Sequence, residues 1–321
     1  MIIITGAAGF IGSAVAAQLI EAGRDDLWLV DDWSKTTKMA NYQTKAVRGM
    51  IERARLFAWL EAYPDSIDAI IHLGARTDTA EFDVSIFDRL NLAYSQALWR
   101  ICQARELPFL YASSAATYGD GSLGFDDDQS LIPSLKPLNP YGQSKQDFDL
   151  WVLEQSEAPP VWAGLKFFNV FGPNEYHKGR MASVVYHAYQ QILRSGEMKL
   201  FRSHREEWAD GQQRRDFIYV KDLTKVISFW LTRGLPNDIY NLGTGSSRTF
   251  LDLTKATFAA MDLPPRISYI DIPPDIRERY QYFTEAKMGK LRQAGYSAPF
   301  TTLEAAIDDY VGNYLRKAAI W

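Results

Sequence analysis

The chain has 321 residues, 47% hydrophobic and 23% charged, with one cysteine. That is the balance of an ordinary globular protein of about two domains at roughly 150 residues each, and it excludes a disulfide-stapled miniprotein, a fibre and a disordered chain. Lys and Arg total 35 against 39 Asp and Glu, a formal charge of -4, and with no long run of one sign to steer a polyanion, no nucleic-acid partner is expected.

Residues 1–20 carry no charge. A signal or membrane segment is set aside because no Lys or Arg precedes the run and Gly6, Gly9 and Gly12 interrupt it. No membrane partner and a cytoplasmic location are therefore expected, and Cys102 is expected to be a small buried helix residue. The order at the start is strand (Met1 to Thr5), glycine turn, helix (Phe10 to Glu21) and strand (Leu27 to Val30) ending in Asp31 and Asp32, which is a βαβ unit. Apolar runs follow at Ala69 to His72, Phe109 to Ser113 and Val161 to Phe168, separated by helical stretches at Phe87 to Arg105 and Tyr141 to Gln155. This alternation predicts an α/β fold with a parallel sheet covered on both faces. After Asn169 come a helix, Met181 to Ser195, a polar stretch, Arg202 to Gln213, and proline turns at 264–265 and 273–274, which predict a smaller second domain. The chain is expected to cross between the two, with 1–168, about 216–238 and about 282–292 in the first domain and about 169–215, 239–281 and 293–321 in the second.

The run Gly6-Ala7-Ala8-Gly9-Phe10-Ile11-Gly12 lies at the first strand-to-helix junction. Backbone N–H groups at a helix start bind a pyrophosphate, and glycines let phosphate and strand approach closely. Acids about 20 residues further on favour dinucleotide binding over a plain turn. The second constellation is Ser114 with Tyr141 and Lys145, the last two at i and i+4 on one helix face. A free tyrosine titrates near 10, and an adjacent ammonium is expected to lower that value so that the phenol exchanges a proton with a sugar hydroxyl. The bland alternative is an exposed tyrosine beside a solvated lysine. No metal site is expected.

GAAGFIG, YASSAATYG, NPYGQSK, FFNVFGP and RRDFIYVKD, in this order, resemble the extended short-chain dehydrogenases/reductases that act on nucleotide-sugars. FLYASSAATYG, NEYHKGRMASV, LGTG and RYQYFTEA are similar to the ADP-L-glycero-D-manno-heptose 6-epimerase family within that group, over nearly the whole chain. The resemblance implies a Rossmann-type doubly wound parallel sheet with a smaller α/β substrate domain, and inversion at C6 of an ADP-heptose through a transient 6-ketone with a tightly bound nicotinamide cofactor. Ser114 would hydrogen-bond the reacting oxygen, Tyr141 exchange its proton and Lys145 hold the nicotinamide ribose. Gly6, Gly9, Phe10, Ile11, Gly12, Asp31, Asp32, Lys38, Arg53, Leu73, Gly74, Ala75, Arg76, Thr77, Asn91 and Val170 match cofactor positions. Asn169, Arg180, His187, Phe201, Arg215 and Tyr280 match positions at the ADP-sugar.

Inversion moves the reacting oxygen to a new place, so Lys178 is expected to serve as a second acid/base beside the cofactor, the alternative being a surface lysine that binds phosphate. Lys38 and Arg53 favour NADP, with NAD as the alternative because a second carboxylate at Asp32 would repel a 2'-phosphate. Arg180 stands where the family has a small polar residue, and the segment between Phe201 and Arg215 is longer than usual. Members of the family assemble as homo-oligomers, pentamers among them. A dehydratase is disfavoured by Ala115 and Ala116 where such enzymes carry Asp-Glu, and a non-catalytic sensor or scaffold by the presence of both Tyr141 and Lys145.

Overall fold

The computed structural model describes residues 1–63, 66–277 and 280–321. Short, largely apolar runs form the centre: β1 Ile2–Thr5, β2 Leu27–Asp31, β3 Gly49–Glu52, β4 Ala69–His72, β5 Phe109–Ser114, β6 Trp162–Phe167 and β7 Asp238–Leu242. They pair in the order β7-β6-β5-β4-β1-β2-β3, every pair parallel. Because side chains alternate along a strand, Ile4, Leu29, Ile71 and Leu165 pack on one face of the sheet and Ile3, Val30, Ile70 and Phe109 on the other. Both faces are buried, as a parallel sheet requires.

The principal helices are α1 Phe10–Glu21, α2 Tyr94–Ala104, α3 Pro140–Leu153, α4 Val184–Ser195, α5 Val220–Arg233, α6 Phe250–Ala260 and α7 Leu303–Asp309. A second core, with Val185, Ile192, Phe217, Phe258, Ile307 and Tyr310, joins α4, α6 and α7 and forms the smaller lobe. Three two-stranded pairs support it, Asn169–Phe171 with Phe217–Tyr219, Arg214–Arg215 with Arg248–Thr249, and Met198–Phe201 with Ile267–Ile270.

The boundary expected at 238 divides β7. Ile239, Tyr240 and Leu242 are buried, and residues 238–242 pair along β6, so apolar burial keeps the whole segment in the central sheet rather than the second lobe. α4 starts three residues later than Met181 because Ser183 Oγ accepts from Tyr186 N at 3.2 Å and caps it. Cys102 is fully buried, and burial pushes its thiol up. Among the described residues no helix is long and apolar enough to cross a membrane.

Strand order reverses between β4 and β1, since the chain runs outward from β1 to β3 on one side and from β4 to β7 on the other. A crevice opens beyond the strand ends at such a point. Gly6 from β1 meets Gly74 from β4 there: a Cβ on Gly6 would lie 2.6 Å from Gly74 N, and Gly6 has φ +67°.

Candidate active site

The glycine turn is packed too closely for side chains. A Cβ on Gly12 would lie 2.2 Å from Gly6 O and one on Gly9 3.0 Å from the same atom. α1 begins at Phe10 with no side-chain cap and no acid in its first turn, so its amide groups are free for an anion. Asp31 braces the turn: Oδ2 accepts from Ala8 N at 2.9 Å, and Oδ1 accepts from Asp32 N at 2.8 Å and Lys38 Nζ at 3.1 Å. Asp32 accepts from the Ser34 hydroxyl at 2.5 Å, and its other oxygen lies 3.8 Å from Arg53 Nη2. Both cations expected at a 2'-phosphate therefore already face carboxylates.

Leu73, Gly74 and Ala75 are half-buried after β4, while Arg76 and Thr77 are exposed. Asn91 locks this loop: its Oδ1 accepts from Arg76 N at 2.7 Å and its Nδ2 donates to Arg76 O at 3.0 Å. The same amide donates to Ser144 Oγ at 2.9 Å, and Ser144 Oγ donates to Tyr141 O at 2.8 Å, joining the loop to α3. Behind it, His72 lies 2.6 Å from Thr5 Oγ1 and 2.9 Å from Ser95 Oγ. Burial holds the His72 imidazole down at about 3, helped by the Lys145 charge. His72, Thr5, Ser95 and Ser144 were missed in the sequence, because the bonds that tie them to the site, Thr5 to His72, His72 to Ser95 and Asn91 to Ser144, join residues distant along the chain.

Asn139 Oδ1 accepts from Gly142 N at 2.8 Å and Pro140 opens the first turn, so α3 starts one residue before Tyr141. Ser114 ends β5, its Oγ accepting from Ala116 N at 3.1 Å. The Ser114 side chain lies close enough to the Tyr141 hydroxyl to favour its ionised form, which brings the expected pair together. Lys145, 6% exposed, donates to Ala112 O at 2.7 Å. Here the expectation of a lowered tyrosine is corrected: burial pushes the Tyr141 phenol up, and only Ser114 pulls it back. Burial lowers the Lys145 ammonium to about 8, with Asp149 one helical turn on opposing that fall.

Lys178 arrives from the loop after residue 171, with its Nζ 5.2 Å above the Phe10 ring. Burial lowers it and the neighbouring Glu175 carboxylate opposes the change. Glu175 is itself buried, accepting from Ser183 Oγ at 2.7 Å and Tyr310 OH at 3.1 Å. The half-buried lysine thus lies against the glycine turn at Phe10. Ile11 and Val170 pack nearby between the two lobes' cores.

On the second lobe, Arg215 is 8% exposed between the Tyr280 and Phe250 rings, 5.5 and 5.6 Å from their centroids. Its nitrogens donate to the carbonyls of Arg214 and Gln281, and among the described residues no carboxylate lies within ion-pair distance of it. Phe201 meets Tyr280 edge-on, with ring centroids 5.8 Å apart. The long 202–214 segment folds over this group, with Arg205 4.6 Å above the Tyr282 ring. Asn169 is exposed, its Oδ1 3.5 Å from Thr284 Oγ1. Arg180 and His187 are also exposed: Arg180 pairs with Asp78 at 3.0 Å, and His187 Nε2 lies 3.3 Å from Arg180 O. Arg215, Phe201 and Tyr280 form one group, while Arg180 and His187 lie together on the side of Lys178.

A glycine turn at the switch point, with serine, tyrosine and lysine one strand away, defines a dinucleotide-dependent enzyme of sugar chemistry. The chain belongs to the NAD dependent epimerase/dehydratase family, whose model matches residues 2–243. Within that family it belongs with the ADP-L-glycero-D-manno-heptose 6-epimerases: it is 48% identical to the one from Nitratidesulfovibrio vulgaris, over 99% of each chain, and 45% identical to the one from Fusobacterium nucleatum, over 99% of this chain and 98% of that one. The crystal structure of the Helicobacter pylori ADP-L-glycero-D-manno-heptose-6-epimerase shares the fold with a TM-score of 0.81, covering 97% of this chain and 95% of its own at 24% identity. The UDP-glucuronic acid 4-epimerase of Bacillus cereus, solved with NAD and a substrate analogue, has a TM-score of 0.80 at 21% identity, over 99% of each chain. The protein is accordingly an epimerase that uses a nicotinamide cofactor. The glycine cradle, closed to any Cβ, and the uncapped start of α1 fit that group.

Proposed function

We propose that this epimerase converts ADP-D-glycero-D-manno-heptose to ADP-L-glycero-D-manno-heptose by transient oxidation at C6. The observation that carries the reading is the meeting of Ser114 and Tyr141 above buried Lys145, with Lys178 held against the turn at Phe10. A bound nicotinamide would supply the hydride acceptor and donor for C6. The turn 6–12 would hold the diphosphate and Lys145 the ribose. Ser114 donates to the C6 oxygen, and Tyr141 takes the hydroxyl proton. Tyr141 is a phenol at neutral pH and burial raises it further, so taking this proton needs a favourable charge beside it once substrate and cofactor are bound, a charge that the Lys145 ammonium would supply. The sugar terminus then turns, and Lys178 returns a proton at the oxygen's second position. Arg215, planar and without a carboxylate partner among the described residues, suits the substrate diphosphate, with Phe201 and Tyr280 beside it. Asn169, Arg180 and His187 would contact the sugar end.

NADP is our choice of cofactor, with Lys38 and Arg53 shared between the 2'-phosphate and their carboxylates. A homo-oligomer, a pentamer by family resemblance, working in the cytoplasm completes the proposal. The test is incubation of the purified protein with ADP-D-glycero-D-manno-heptose, following C6 configuration by NMR and identifying the cofactor released on denaturation. Interconversion of the two epimers supports the reading. An eliminated or unchanged sugar overturns it, and released NAD overturns the NADP assignment.

A further inference from the structure

Beneath the site lies an ion pair that the mechanism above does not use. Lys166 of β6 and Asp149 of α3 are both fully buried, with Nζ and Oδ2 2.6 Å apart. The same Oδ2 accepts from Ser113 Oγ at 2.6 Å, and Oδ1 accepts from Tyr111 OH at 3.0 Å. Lys166 Nζ also donates to Thr117 Oγ1 at 2.8 Å, and Thr117 Oγ1 donates to Ser114 O at 2.9 Å. Ser113 and Lys166 are register partners across β5 and β6, so the pair grips residues on either side of Ser114. Asp149 follows Tyr141 and Lys145 at i+8 and i+4, on the face of α3 that carries both.

A buried pair that merely filled space would be matched or bettered by apolar side chains, since desolvation of two charges offsets their attraction. This one is joined to the catalytic elements through four hydrogen bonds. Resting on the epimerase reading, we infer that Asp149 and Lys166 are positioning residues for the reaction centre: they clamp the end of β5 that presents Ser114 and set the charge environment of Lys145. The groups facing Lys145 are Asp149 and Tyr141 on its own helix and His72 from β4, with Tyr111 of β5 and Lys166 of β6 reaching it through Asp149. His72 is neutral there, which leaves Asp149 as the countercharge.

The test is the double variant Asp149→Asn with Lys166→Met, in which the amide oxygen still accepts from one of the two hydroxyls, the amide NH2 donates to the other, and methionine fills the lysine stem. The expected result is a folded protein with an unshifted thermal midpoint, kcat lowered at least tenfold and KM within threefold of the parent. The Lys145 ammonium, followed by NMR of 13C/15N-labelled lysine in the cofactor-free protein and assigned with Lys145→Met, should titrate at lower pH than in the parent. A kcat within twofold of the parent, or an unmoved Lys145 titration, overturns the inference. If the double variant does not fold, Ser113→Ala with Thr117→Val cuts only the two links to the β5 end. It should fold and still lose several-fold in kcat, and an unchanged kcat overturns the clamp. A parent that binds cofactor yet interconverts no epimers overturns the epimerase reading instead, and the lysine titration still decides the role of the pair.

Discussion

On the sheet side of the cleft His72, Asp149 and Lys166 are 2%, 0% and 0% exposed, and each is bonded to side chains from neighbouring elements. On the other side Asn169, Arg180 and His187 stand in solvent, and the Arg180 guanidinium pairs with Asp78 on the loop opposite. The difference separates two tasks. On the proposed mechanism, the groups that position Ser114, Tyr141 and Lys145 are fixed before the substrate arrives, so little reorganisation remains there. The groups proposed to contact the sugar would be left for the ligand to order, and their cost would fall on binding. Substitutions on the sheet side should therefore lower kcat, and those on the second lobe should raise KM.

The largest effect is expected from Tyr141→Phe, which removes one oxygen and should reduce kcat by about 10³-fold or more without loss of cofactor. A residual rate within tenfold of the parent would erase the distinction at its strongest point. Ser114→Ala should follow, at about 10²-fold to 10³-fold in kcat, as for one donor to a developing oxyanion. On the other lobe, Arg215→Met should raise KM by about tenfold or more while kcat stays within threefold. Steady-state kinetics in which kcat carried the loss would move Arg215 to the sheet side of the comparison.

Stability against pH offers a finer probe. His72 is held neutral with its pKa down at about 3, whereas in the unfolded chain it titrates near 6.5. The unfolded state then binds the extra proton between those values, so this stabilisation is complete above about pH 6.5 and is lost as pH falls towards about 3. His72→Gln should flatten the acid side of a plot of thermal midpoint against pH, and parallel curves for the two proteins would refute the assignment. The smallest effect belongs to Arg180→Ser. An exposed pair of this kind contributes below about 1 kcal/mol, so melting should barely change, and any shift in KM reports the sugar contact alone.

The sequence made some of this legible because spacing carries it. α1 spans Phe10–Glu21 and β4 spans Ala69–His72 as the hydrophobic period indicated, and Tyr141 and Lys145 share a face by helical geometry. β3 was missed because GMIE, at the edge of the sheet, buries only Ile51. β7 was missed because DIYNL mixes polar and apolar residues, Asn241 being buried among partners from residues 118 to 127. The His72 linkage was illegible for another reason: Thr5 stands 67 residues away in the chain, a contact that only the pairing of β1 with β4 creates. Asp149 was within reach, since its place on the α3 face follows from the same arithmetic as Lys145. The lowered tyrosine failed because residue types show charge but not burial, and burial dominates at Tyr141.

The late return of residues 238–242 to the edge of the sheet has a consequence for synthesis. As the chain leaves the ribosome, the edge of β6 is complete some 70 residues before its neighbour emerges, at about 5–20 residues per second. For those seconds Trp162–Phe167 presents an apolar strand with unpaired amides, a template for other nascent chains. Conditions that slow translation between codons 168 and 238 should therefore lower the soluble yield more than an equal pause elsewhere.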